Sequence, residues 1–165
     1  MRRLIGFLIS LPFLVAGFVI GFLWRALTKR WAEDLNFEGK AYVLDGDTLA
    51  FDGDIRVRLY GMDAPEMDHP EGLVSKRYLE SLIAGQPVKV VFVEEDKYGR
   101  GVCKVYSAAG DDLSARMVGD GYARSYGSFT SAYVQLEKKA RKTKAGLWGQ
   151  NGLALHPEFW RKAQR

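Results

Sequence analysis

The chain has 165 residues, of which 47% are apolar and 27% are charged, proportions that exclude a mainly disordered protein. Its one cysteine, Cys103, excludes an intrachain disulfide framework. The formal charge of +4 does not indicate a nucleic-acid partner, because residues 1–30 carry five basic and no acidic side chains. They leave 19 of the 24 basic and all 20 acidic side chains to residues 31–165, a net charge of −1.

The first predicted element is a membrane anchor. Residues 4–24 are uncharged, and a helix of this length rises about 31 Å, which matches the hydrocarbon core of a bilayer. A cleaved signal peptide stays open as the alternative, although it predicts a shorter apolar core and a small-x-small cleavage site. A buried helix of a globular domain is less favoured, because no polar face is marked. We predict one transmembrane anchor over residues 1–30 and a linker over residues 31–38.

Short strands separated by turn signals follow the linker. The predicted strands are Lys40–Leu44, Thr48–Phe51, Ile55–Tyr60, Pro87–Val93 and Gly101–Tyr106. Helical spacing of apolar residues predicts helices over Leu73–Ala84, Leu113–Val118 and Thr130–Ala145. The pattern predicts an α+β, mainly β fold: a five-stranded OB-fold barrel with packing helices, preceded by one transmembrane helix.

Three segments concentrate polar residues: 45–48 (Asp-Gly-Asp-Thr), 58–66 and 96–100. Each segment alone is typical of a turn. A second Asp-Gly-Asp tripeptide, residues 52–54, has no motif after it, and we interpret it as a turn only. The three segments together are harder to explain as turns.

Taken together, the three segments resemble the staphylococcal nuclease-like (thermonuclease) family. Its pattern includes D-G-D-T, R-x-x-x-x-D-x-P-E and D-x-Y-G-R, and the resemblance covers residues 39–149. It leaves residues 150–165 as a C-terminal extension. The resemblance implies a five-stranded barrel with packing helices and a calcium-dependent nuclease that acts on DNA and RNA, with single-stranded substrate favoured.

The resemblance also implies the roles of individual residues. The carboxylates of Asp47 and Asp63 and the backbone carbonyl of Ala64 are expected to bind Ca²⁺. The expected catalytic residues are Glu66, which positions or deprotonates the attacking water, and two phosphate-binding arginines, Arg58 and Arg100. For substrate binding, the expected residues are Lys97, Tyr98 and, on a weaker match, Tyr126.

Elementary electrostatics agrees with this assignment. Three carboxylates in one cleft repel each other by roughly 4 kcal/mol per pair at 4 Å and an effective dielectric constant of 20. A hard divalent cation removes that penalty, and guanidinium groups stabilise the charge that a phosphodiester gains as water attacks. Whether Glu66 takes a proton or only aligns the water stays open.

A basic run over residues 138–144 is interpreted as a solvated helix face, with a patch for nucleic-acid backbone or anionic lipid as the alternative.

The sequence thus predicts a membrane-anchored calcium-dependent nuclease that hydrolyses DNA or RNA. The alternative is a non-catalytic nucleic-acid-binding OB-fold module tethered to the membrane. The predicted partners are nucleic acid and the lipid bilayer, and no protein partner is inferred. We predict a single-pass membrane location with the nuclease domain outside the cytoplasm, because millimolar Ca²⁺ suits weak carboxylate sites.

Overall fold

A computed structural model describes residues 36–127 and 130–149 of the chain. In this part of the chain, eight strands and three helices follow one another. The strands are β1 (Phe37–Lys40), β2 (Tyr42–Val43), β3 (Thr48–Phe51), β4 (Ile55–Leu59), β5 (Met62–Asp63), β6 (Pro87–Glu95), β7 (Gly101–Tyr106) and β8 (Arg124–Ser125). The helices are α1 (Gly72–Ile83), α2 (Leu113–Gly119) and α3 (Val134–Thr143), and a short 3₁₀ turn spans Gly146–Gly149.

Six strands form one sheet in the order β1-β6-β7-β4-β3-β2. All its neighbours are antiparallel except β4 and β7, which run parallel with Arg58 opposite Val102. Strands β5 and β8 form a separate antiparallel pair, in which Asp63 lies opposite Arg124. The result is a mainly β, barrel-like sheet with three helices in the described part of the chain.

The core lies between the inward faces of the strands and the helices. Alternation along β4 buries Val57 and Leu59 and leaves Arg56 exposed and Arg58 half-buried. Helix α1 closes one side of the core with Leu79 and Ile83, and its Ser75 hydroxyl donates to the Tyr122 carbonyl at 2.8 Å. Because the polar residues of β4 lie on the face away from the core, that face is available for a site.

Most predicted elements are present, and their bounds differ where pairing depends on distant residues. Strands β3 and β7 have the predicted bounds, and β4 and α1 differ from their predictions by one residue. The predicted strand 40–44 is divided between β1 and β2, and α3 is shorter than predicted at both ends. The described part contains eight strands rather than five, because β1, β5 and β8 form only through pairing with distant strands.

The predicted single-pass membrane location is corrected. In residues 36–127 and 130–149, no helix is both long and apolar enough to cross a bilayer. The longest, α1, has 12 residues and rises only about 18 Å, against the 30 Å or so of a hydrocarbon core. The predicted anchor, residues 1–30, lies outside the described residues. The bilayer partner depended on that anchor and is withdrawn with it. The placement of the nuclease domain outside the cytoplasm, which was argued from the Ca²⁺ concentration, was part of the same predicted location and is withdrawn too.

Candidate active site

The tight turn before β3 places Asp47 at the site. The Asp47 backbone N–H donates to Asp45 Oδ1 at 2.9 Å, and the Asp47 carbonyl accepts the Leu59 N–H at 2.8 Å. Gly46 lies against α1 and the segment after β5, since a Cβ there would collide with the Ser75 side chain and lie 2.6 Å from the Ala64 Cβ. Only glycine fits this close approach, and the turn is therefore fixed beside Asp47.

Arg58 joins the two aspartates that the sequence predicts as metal ligands. Its Nη1 donates to Asp47 Oδ1 at 2.8 Å, and its Nη2 lies 2.7 Å from Asp47 Oδ2. The same Nη2 donates to Asp63 Oδ1 at 2.8 Å. The side chains of Asp47 and Asp63 are 8% and 3% exposed, against 23% for Arg58. The structure therefore brings Asp47, Arg58 and Asp63 into one partly desolvated group, which we call the Asp47–Arg58–Asp63 cluster.

Burial dominates the electrostatics of this cluster. It raises the pKa of Asp47 to about 7, which the positive charge of Arg58 opposes and the nearby charges of Asp45 and Asp63 reinforce. Burial alone would lower the pKa of Arg58, but the two aspartates outweigh it and raise that pKa. The ionised form of Asp47 is consequently disfavoured even with a guanidinium beside it, and further positive charge near Asp47 would stabilise it.

Ala64 and Glu66 follow Asp63 in the segment that leads to α1. Ala64 is buried, and its N–H donates to Asp47 Oδ2 at 3.5 Å. Glu66 is half-buried beyond Pro65, and its carbonyl accepts the His69 N–H at 2.9 Å. Gly72 packs against this segment, because a Cβ on Gly72 would lie 2.7 Å from the Glu66 carbonyl carbon. The close packing fixes the backbone that carries Glu66.

The expected crowding of three carboxylates is not found. Throughout the described ranges, no group of three or more His, Cys, Asp or Glu side chains is arranged to hold a metal ion. Asp47 and Asp63 converge on Arg58, whereas Glu66 lies further along the chain, in the loop before α1. The donor set nevertheless fits a hard cation, because two buried carboxylates supply the oxygen ligands that Ca²⁺ prefers.

The hairpin between β6 and β7 holds Arg100 in place. Asp96 accepts the backbone N–H groups of Tyr98 at 2.8 Å and Arg100 at 3.0 Å, and its Oδ2 accepts the Arg100 Nε at 2.8 Å. Burial alone would raise the pKa of Asp96, but these hydrogen bonds outweigh it and lower that pKa. The side chain of Arg100 is still 35% exposed. Arg100 is therefore positioned before any ligand arrives, and it remains accessible.

Strand register relates Arg100 to the cluster. Arg58 lies opposite Val102 in the parallel pair of β4 and β7, and Arg100 precedes Val102 by two residues. Arg100 thus lies in the hairpin just before β7, and Arg58 lies on the strand that pairs with β7. Tyr98 is 71% exposed at the hairpin tip, with Lys97 Nζ 4.8 Å and Arg100 Cζ 5.5 Å from its ring centroid.

Tyr126, the third predicted substrate-binding residue, follows β8. It is 42% exposed, and its N–H donates to the Gly61 carbonyl at 2.9 Å. This bond ties the segment after β8 to the turn before β5, which carries Asp63. The structure therefore places Tyr126 on the β5–β8 side of the site and Tyr98 on the separate β6–β7 hairpin.

Arg124 is a site residue that the sequence reasoning missed. Its Nη2 lies 3.5 Å from Asp63 Oδ2, so Asp63 contacts guanidinium groups on both carboxylate oxygens. Its side chain is only 17% exposed. The sequence predicts Tyr126 as the site residue of this segment, and a single arginine there carries no signal without the pairing of β5 with β8.

Comparison with known proteins gives a consistent family. The family model described as staphylococcal nuclease homologue matches residues 56–150. An uncharacterized endonuclease of Escherichia coli O157:H7 is 36% identical over 124 residues, which cover 72% of this chain and 80% of the relative. A micrococcal nuclease of Shigella flexneri is 36% identical over 151 residues, or 82% and 84% of the two chains. A probable endonuclease of Yarrowia lipolytica, LCL3, is 34% identical over 125 residues, which cover 66% of this chain and 55% of that relative.

Proposed function

Because the chain belongs to the staphylococcal nuclease family and is a phosphodiester-hydrolysing nuclease, we propose that it is a calcium-dependent endonuclease whose active site is built on the Asp47–Arg58–Asp63 cluster. The substrate is DNA or RNA, with single strands favoured. The non-catalytic binding module considered from the sequence is set aside, since the relatives are named as endonucleases and a micrococcal nuclease.

One observation carries the proposal: a guanidinium lies between two buried carboxylates on a partly open face of the sheet. Arg58 contacts Asp47 and Asp63 at 2.7–2.8 Å while 23% of its side chain stays exposed. A structural ion pair does not require two acids around one arginine, and burying these charges is costly. An arrangement of this kind is typical of a site that binds charged ligands.

Calcium would be held by the Asp47 and Asp63 carboxylates, with the Ala64 carbonyl as a further oxygen ligand. When bound, it would supply positive charge next to the phosphoryl oxygens and would lower the pKa of a nearby water. The assignment is consistent with the raised pKa of Asp47, whose largest cause is burial, because a bound cation would stabilise the ionised carboxylate.

Arg58 and Arg100 would bind the phosphate that is cut, Arg58 through donors that contact Asp47 and Asp63 in this structure and that a cation on those carboxylates would release. A guanidinium presents a planar pair of donors to phosphate oxygens and stays protonated at neutral pH. Asp96 fixes the orientation of Arg100 through its Nε, so little side-chain freedom would be lost when phosphate binds. As water attacks, the phosphoryl group gains negative charge. The two arginines would therefore stabilise the transition state more strongly than the bound substrate.

Glu66 would align the attacking water or accept its proton. It is the acidic residue that follows Asp63 and Ala64 most closely, on a backbone segment held by Gly72. The exposed ring of Tyr98, with Lys97 beside it, would contact a base or phosphate of a single strand. Tyr126 would contribute from the segment after β8. We propose residues 39–149 as the nuclease domain, with residues 31–38 as a linker and 150–165 as a C-terminal extension.

The experiment that tests the proposal uses closed circular single-stranded DNA and the purified full chain. With Ca²⁺, we expect the circles to be linearised and then shortened, because an endonuclease needs no free end. With an excess of calcium chelator, we expect intact circles. Equal cutting in chelator would show that the activity does not depend on calcium. Intact circles in both conditions would contradict the proposed endonuclease activity.

A further inference from the structure

Helix α3 presents a row of lysines that the proposed active site does not use. Lys138, Lys139 and Lys142 are exposed, whereas Ala140 on the same helix is fully buried. Residues three and four positions apart are neighbours on a helix, so Lys138 and Lys142 lie together opposite Ala140, and Lys139 lies at the edge of that surface, three residues from Lys142. We call Lys138, Lys139 and Lys142 the α3 lysine face.

Helix stability does not explain the α3 lysine face. Like charges three or four residues apart on a helix are destabilising, and the acid that could relieve them, Glu137, pairs instead with Arg141. In the described part of the chain, no ion pair engages these three lysines. The helix dipole favours cations only within the last turn, which includes Lys142 but not Lys138. An anionic partner would account for the uniform charge.

Contacts of Glu137 connect the helix to the active site. Its Oε2 accepts the Ser125 N–H from β8 at 2.8 Å, and its Oε1 accepts the Arg141 Nε at 2.9 Å. In β8, the residue before Ser125 is Arg124, which lies opposite Asp63. The first turn of helix α3 is therefore hydrogen-bonded to β8, which pairs with the strand that carries the predicted metal ligand Asp63. The three lysines follow Glu137 along the helix.

We propose that the α3 lysine face is a docking surface for the sugar-phosphate backbone of the substrate, outside the segment that is cut. This inference rests on the proposed function, since the polyanion it binds is the nuclease's own substrate. The lysines are point charges on flexible stems, so the surface contacts phosphates without selecting bases. It would raise affinity for long strands and leave the cleavage step unchanged.

A neutralised triple variant of the full chain, K138Q/K139Q/K142Q, tests this surface. The matched control K76Q/R77Q/K89Q removes three basic side chains from α1 and β6. The probe is a fluorescently labelled 30-nucleotide single strand, whose dissociation constant is measured in chelator at several salt concentrations. We expect the triple variant to bind about tenfold more weakly. The plot of the logarithm of the dissociation constant against the logarithm of salt concentration should have a slope smaller by about 2, because each lost phosphate contact reduces that slope by about 0.7. The control should bind like wild type.

Cleavage measurements separate this inference from the proposed activity. The triple variant should show a higher KM for the 30-nucleotide strand, an unchanged KM for a trinucleotide and an unchanged kcat on both.

Wild-type affinity and salt slope in the triple variant would overturn the docking surface even if the enzyme cuts normally. The same loss of affinity in the control would also overturn it, because the effect would then be one of net charge. If wild type binds the strand but never cuts it, the proposed function fails while the docking surface stands. Binding to vesicles of anionic lipid, with no binding to the strand, would assign the face to membranes and overturn the proposal.

Discussion

Arg58 and Asp47 form a bidentate ion pair, with Nη1 2.8 Å from Oδ1 and Nη2 2.7 Å from Oδ2. The pair lies where Asp47 is almost inaccessible, and burial raises the pKa of Asp47 to about 7 in spite of the guanidinium. Arg58 thus compensates the buried carboxylate only in part. A cation bound beside Asp47 would compensate the rest. The pH dependence of stability and the proposed calcium site therefore concern the same carboxylate.

Replacing Asp47 should change how stability depends on pH. An acid whose pKa is raised in the folded state binds more protons there than in the unfolded chain. Its contribution to stability is therefore full below pH 3.8, the usual pKa of an aspartate, and is lost as the pH rises through about 7. In chelator, the wild-type free energy of unfolding should fall from pH 5 to pH 8 by on the order of 2 kcal/mol, and Asp47→Asn should fall less. Urea unfolding of both proteins measures the difference. The control Asp52→Asn, on an exposed turn, should follow wild type, and parallel curves for Asp47→Asn and wild type would contradict the assignment.

Glu66→Gln should lower kcat while leaving the fold intact. The amide keeps the size of the side chain but neither accepts a proton at neutral pH nor carries charge, and loss of such a group lowers rates by about 10²–10⁴-fold. Initial rates on single-stranded DNA give the change, and circular dichroism reports the fold. Glu80→Gln makes the same substitution at an exposed position of α1 and should keep the wild-type rate. If Glu66→Gln cuts as fast as Glu80→Gln, Glu66 has no role in the chemistry.

Gly72→Ala should disturb the segment that carries Glu66. A Cβ at Gly72 would meet the Glu66 carbonyl, with the Glu66 carbonyl carbon at 2.7 Å and the Met67 Cα at 2.9 Å. Because those atoms are backbone, relief requires the segment to move, and we expect a loss of about 1–3 kcal/mol in stability together with lower activity. Thermal unfolding and initial rates measure both. Gly119→Ala, whose Cβ would meet only ordinary contacts at 3.9–4.0 Å, is the control, and equal behaviour of the two variants would show that the packing does not position Glu66.

Asp96→Asn should release Arg100. The folded-state pKa of Asp96 is lowered, so its contribution to stability is present above 3.8 and is lost as pH falls through the lowered value. Wild type should therefore exceed Asp96→Asn by about 1 kcal/mol at pH 7, and the difference should vanish in strong acid. Urea unfolding between pH 2 and pH 7 tests this. On single-stranded DNA, kcat/KM should also fall, because Arg100 loses the acceptor of its Nε. A stability difference that does not change with pH would exclude an ionic role for Asp96.

Local sequence patterns predict the elements whose pairing is local. Alternation defines β3 and β4, which are joined by a short turn, and apolar spacing defines α1 to within one residue. Strand β1 pairs with β6 some 50 residues away, and the two-residue strands β5 and β8 have no periodicity to detect. Their existence depends on tertiary contacts, which a single sequence does not reveal.

The same distinction applies to the site. The residues of the three motifs can be read from the sequence, but the contact of Arg58 with both Asp47 and Asp63 depends on how β4 meets the turn and β5. The expectation of three crowded carboxylates came from the motifs taken together, and in the described ranges no group of three such side chains is arranged to hold a metal ion. Arg124 was missed because it reaches Asp63 only through the pairing of β5 with β8.

Two arginines of β4 provide a matched test of whether hydrolysis takes place at the Asp47–Arg58–Asp63 cluster. Arg58 and Arg56 lie on the same face of the strand, and only Arg58 contacts the aspartates. The measurement is the initial rate of cutting of circular single-stranded DNA in Ca²⁺ by Arg58→Lys and Arg56→Lys, two variants that keep the charge. Arg58→Lys, which loses the planar fork, should cut at a rate about 100-fold below wild type, and Arg56→Lys should cut within about twofold of the wild-type rate. Equal rates for the two variants would contradict hydrolysis at this cluster.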